Sequence, residues 1–122
     1  MLDKKLQSIL VDFEKAQKNS VNVLAIMKMD ELIDKWSIIL SASWVNEKNS
    51  GDIFTSFLAL MKKYFTDEEL NTIARVGILP IDEHLIVGLL DIGSGAEIKD
   101  RKINGNMIYE GYVISSKKPH GN

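Results

Sequence analysis

Leu2, Leu6, Ile9, Leu10, Phe13 and Ala16 recur at steps of three and four, the spacing that lines side chains along one face of a helix. Lys4, Lys5, Asp12, Glu14, Lys15 and Lys18 fill the other positions and Asn19-Ser20 ends the run. The pattern predicts an amphipathic helix over residues 3–18. Its apolar stripe can pack on its own domain, or be shared with a partner or a second copy; the run is too short to specify a coiled coil.

Residues 21–35 obey neither period cleanly. Asp30 can cap a short helix over residues 30–35, and the stretch before it fits a strand or a further helical turn. Trp36 to Val45 then alternates, with Trp36, Ile38, Leu40, Ala42 and Trp44 on one side and Ser37, Ile39, Ser41, Ser43 and Val45 on the other. That is a strand signature, and residues 46–51 read as a loop. Asp52 can cap a helix lined by Ile53, Phe57, Leu60, Met61, Tyr64 and Phe65. Thr66-Asp67-Glu68-Glu69 has the form of a capping box, which starts a second helix at Thr66 running through Leu70, Ile73 and Ala74.

From Arg75 the texture becomes β. Residues 75–79 form a strand candidate closed by Pro80, which has no N–H to give a ladder. Residues 82–84 read as a turn, and residues 85–92 are so uniformly apolar that strand and buried helix stay equally open. Gly93-Ser94-Gly95 breaks the chain, residues 97–103 alternate, Asn104-Gly105 is a pair favoured in two-residue hairpin turns, and residues 107–115 return. Helices early and strands late predict the α+β class. The expectation is a single domain over residues 1–116, with its N-terminal helices on one face of a four- or five-stranded, mostly antiparallel sheet, and a flexible tail over residues 117–122.

Composition narrows function mainly by exclusion. A chain of 122 residues with 45% hydrophobic and 26% charged positions has the balance of a globular domain rather than a disordered chain. There is no cysteine, which removes disulfides, thiolate metal sites and cysteine nucleophiles. Fifteen basic residues against 17 acidic ones, a net charge of −2, argue against a broad nucleic-acid grip. The N-terminal residues are charged from Asp3 onward and lack a secretory apolar run, and no stretch is long enough to span a bilayer. A cytoplasmic protein is expected.

Chemistry-bearing clusters are few. His84 and His120 have no spaced metal-binding partner, and no cofactor or metal is expected. Gly93-Ser94-Gly95 precedes a strand pattern and lacks the Lys of a phosphate loop, so it reads as a turn. Pro80-Ile81-Asp82 followed by Glu97-Ile98-Lys99 loosely resembles the metal-dependent nucleases whose motif is written PD-(D/E)xK. The resemblance covers this short segment and implies two carboxylates holding Mg²⁺ and a lysine on the attacking water. The proline is not adjacent to Asp82, a departure from that motif. Tyr109 and Tyr112 beside Lys99, Arg101 and Lys102 offer rings for base stacking, but Glu97, Asp100 and Glu110 interleave and favour a salt-bridged hairpin.

Two function classes follow. The first is a small protein-binding module without catalytic activity, an adaptor, inhibitor or immunity-type factor, using Trp36, Ser41, Ser43 and Trp44 as its surface or associating with itself. The second is a phosphodiesterase or nuclease centred on Asp82, Glu97 and Lys99.

Overall fold

The computed structural model describes residues 2–29 and 34–119; the Asp30 cap and most of the short helix expected after it lie outside the described residues. Among the described residues four helices, α1 (Leu2–Gln17), α2 (Ser50–Tyr64), α3 (Asp67–Leu70) and α4 (His84–Ile92), accompany five strands: β1 (Val23–Met29), β2 (Trp36–Ser41), β3 (Ile73–Ile78), β4 (Glu97–Ile103) and β5 (Asn106–Ser116). The strands form one sheet in the order β3-β2-β1-β5-β4. β2 and β3 run parallel, joined through α2 and α3, while the other three pairings are antiparallel. The α+β domain expected from the sequence is the one observed.

β1 holds the centre, and its burial explains its ambiguous sequence. Leu24 and Ile26 face a core with Leu6, Ile9 and Phe13 of α1 and Ile53, Phe57 and Met61 of α2. Val23, Ala25 and Met27 face a second core with Leu85, Ile86 and Leu89 of α4. A strand covered on both faces loses the polar half of its alternation. The N-terminal helices thus pack on one face as expected, and the open question of residues 85–92 resolves as a helix closing the other face.

Several boundaries differ from the sequence pattern: α2 opens at Ser50 with Asn49 at its N-cap, ahead of the expected Asp52 cap. β2 stops at Ser41, and the Val45 N–H donates to the Ala42 carbonyl at 3.1 Å in a turn, so Trp44 is off the strand. α3 ends at Leu70, and Ile73 and Ala74 belong to β3, where Ile73 registers with Trp36. The Thr66 capping box itself is complete, Oγ1 accepting from the Glu69 N–H at 3.1 Å and Glu69 Oε1 from the Thr66 N–H at 2.8 Å. At the hairpin Asn104 and Gly105 both take positive φ, 45° and 89°, as a type I′ turn demands. The Lys117 N–H donates to the Asn22 carbonyl at 2.7 Å and the Lys117 carbonyl accepts from Asn22 Nδ2 at 2.7 Å.

α4 lies close against the hairpin because Gly88 has no side chain. A Cβ there would sit 2.3 Å from Ile103 Cγ2, and Asn104 Nδ2 donates to the His84 carbonyl at 2.6 Å. Among the described residues every buried side-chain nitrogen or oxygen has a partner.

Candidate functional site

A cleft lies on the α1–α2 face of the sheet, at the margin that the two long helices leave uncovered. It measures about 570 Å³ and is lined by Leu2, Asp3, Ile26, Trp36, Thr66, Glu68, Glu69, Thr72 and Tyr112. Each wall has a local cause. Ile26, on central β1, is 1% exposed and forms the floor. Trp36 opens β2, fixed by its N–H donating to the Thr72 carbonyl at 2.8 Å. Tyr112 comes from β5, registered with Ile26 on one side and Glu97 on the other. The Trp36 and Tyr112 rings stand 6.3 Å apart at 44°, a tilted aromatic pair. The capping box turns the chain after Phe65 and sets Glu68 and Glu69 at the rim.

The rim is acidic. Glu69 is paired with Lys5 at 2.6 Å, and that hydrogen bond, with a second from the Thr66 N–H, holds its carboxyl below the usual range. Among the described residues no cation pairs with Asp3, Glu68 or Glu97. Desolvation, then the charges of Glu97, Glu110 and Asp3, push the Tyr112 phenol up, so three carboxylates project their field onto one ring. Lys28 Nζ lies 4.7 Å from the Trp36 ring centroid and 3.9 Å from Glu110. An ammonium over an indole is worth about 0.5–1 kcal/mol where water reaches it.

Of the four binding residues expected from sequence, only Trp36 lines this cleft. Trp44 stacks on Phe13 at 6.4 Å and its Nε1 donates to the Ser20 carbonyl at 2.9 Å, so it anchors the end of α1. Ser41 is buried and its Oγ donates to the Leu79 carbonyl at 2.7 Å. The exposed Ser43 gives its N–H to Asn22 Oδ1 at 2.8 Å. The placement of both tryptophans on one strand face fails with the strand's end at Ser41.

The nuclease constellation is not assembled. Asp82 precedes α4 at the helix end bonded to the hairpin, and Glu97 starts β4 after the opposite end. About 1.5 Å per residue of helix separates those ends. The sheet intervenes as well: Ile98 packs into the α4 core, which turns Glu97 and Lys99 to the other face. Among the described residues no three Asp, Glu or His side chains converge as a metal site.

Sequence reasoning missed Asp3, Glu68, Thr72 and Tyr112 as members of one site. They come from α1, α3, the turn before β3, and β5, and only the parallel β2–β3 pairing and the central β1–β5 pairing bring them together. The one local hint was the capping box, whose acidic run was read purely as a helix start. Among the described residues no helix is long and apolar enough to cross a membrane. No protein-family model, curated protein or solved structure matches the chain.

Proposed function

We propose that the protein is a non-catalytic protein-binding module whose docking point is the Trp36–Tyr112 cleft. The observation that supports this most is the pair of half-buried aromatic rings facing an open, mostly apolar cleft. Tryptophan and tyrosine in such positions are the side chains that most often anchor a partner, because they bury large area at small entropic cost.

The test compares what the tagged full chain retains from its source lysate with what two kinds of variant retain. Trp36→Leu and Tyr112→Leu remove the walls, and Val87→Ser changes α4 on the opposite face, where Val87 is 43% exposed. A stoichiometric partner kept by the native chain and Val87→Ser, and lost by both cleft variants at unchanged circular dichroism, is the expected result. Equal retention by all four chains overturns the assignment to this cleft.

A further inference from the structure

We infer that the cleft receives one cationic side chain, lysine or arginine, from the partner. The inference rests on the docking role proposed for the cleft and adds the chemistry of what enters it. The warrant is charge complementarity around an aromatic wall. Asp3 and Glu68 line the opening and, among the described residues, have no ion-pair partner, while Glu97 lies in register with Tyr112. Of the lysines near the cleft, Lys5 is engaged by Glu69 and Lys28 by Glu110, and Lys35 donates to the Asn71 carbonyl at 2.6 Å. A guest carboxylate or phosphate would enter a field of like charge; a guest cation would meet carboxylates at the rim and the negative faces of two rings inside.

The apolar share of the lining has a role in the same scheme. Lysine and arginine carry long methylene stems that gain by lying on hydrocarbon while the charged head stays at polar groups. Leu2 and the floor residue Ile26 supply that hydrocarbon below the carboxylates. The molecule already shows the aromatic half of the arrangement within its own chain, in Lys28 Nζ held 4.7 Å from the Trp36 centroid.

Asp3 and Glu68 also occupy the first turns of α1 and α3, where the helix dipole favours acids. The two roles separate experimentally, because a helix-end role affects stability and leaves amine binding untouched.

The probes are Nα-acetyl-lysine methylamide, its arginine counterpart, the neutral isostere Nα-acetyl-norleucine methylamide, and spermidine. The readout is the pair of indole N–H resonances from Trp36 and Trp44, of which only the Trp36 signal reports on the cleft. The expected result is a saturable shift of the Trp36 signal by the lysine or arginine probe, at least fivefold tighter than norleucine. Asp3→Asn with Glu68→Gln should weaken it at least fivefold without moving the melting temperature by a comparable margin. Norleucine binding as well as lysine overturns the inference, as does a Trp36 signal that stays still to about 50 mM or an affinity unchanged by the double variant. Spermidine binding tenfold tighter than both side-chain probes also overturns it, in favour of a free polyamine. If the probes fail while the cleft variants still lose the partner, the docking role survives and only the cation is wrong. If the probes bind and partner retention ignores the cleft, the cation is right and the docking role falls.

Discussion

The two faces of the sheet are covered by different means. On one, the single helix α4 presses against the hairpin through Gly88, where a Cβ would come within 2.3 Å of Ile103. On the other, α1 and α2 bury a larger core but stop short of the margin where Trp36 and Tyr112 stand. The cleft beside that contact, about 390 Å³ and lined by Gly88, Asp91, Arg101 and Ile103, is smaller and carries no aromatic ring. Two long helices, held apart by side chains such as Phe13 and Phe57 in edge contact at 5.6 Å, leave a gap where they end. The lesson is that the partial exposure of Trp36 and Tyr112 arises from the geometry of the covering helices.

Four expected outcomes probe that contrast. Phe57→Ala, which empties the centre of the larger core, should cost about 3–5 kcal/mol, read as a fall in the urea midpoint. Leu89→Ala on the α4 face should cost about 2–5 kcal/mol; a value well under 1 kcal/mol would mean that α4 is a loose cover and the contrast is wrong. Gly88→Ala adds volume where there is none and should lose about 1–3 kcal/mol by overpacking, against a helix-propensity gain of about 1 kcal/mol. If it stabilises instead, α4 has room to withdraw.

The smallest effect is at the cleft rim. The Glu69 carboxyl is held below its usual value of 4.5 by Lys5, so its contribution is present above about pH 4.5 and fades as the pH falls through the lower folded value. Lys5→Met should therefore reduce stability at pH 6 and flatten its loss on acidification below pH 4.5, measured by urea titration at a series of pH values. Identical acid slopes for the two chains would show that the pair contributes nothing.

Much of the fold was legible because local pattern and tertiary role agreed. The α1 stripe buries Leu6, Ile9 and Phe13, the Thr66 box forms, and Asn104-Gly105 makes its turn. Legibility failed where two faces were buried at once. Val23 to Met27 of β1 are apolar on both faces because a core lies on each side, which erases periodicity; α4 is buried on one side, and the apolar Val87 on its outer side, 43% exposed, blurs its pattern. Serine alternation in β2 was legible as a face but not as a purpose: Ser37 accepts from Arg75 Nε at 3.0 Å and Ser41 bonds Leu79, both on segments distant in the chain. The site was the least legible part. Trp36 stood out by type, while Asp3 and Tyr112 join it only through strand pairings that no local spacing encodes.

The central place of β1 has a consequence during synthesis. Its two neighbours are β2, made at once, and β5, made only after every other strand. At about 5–20 residues per second, several seconds pass in which Val23–Met29 offers an unpaired apolar edge. A nascent chain halted before Asn106 should recruit holdase chaperones and resist folding, and one extended past Ser116 should release them. On this topology the sheet closes only once β5 is available, and until then one edge of β1 is open to pairing with another chain.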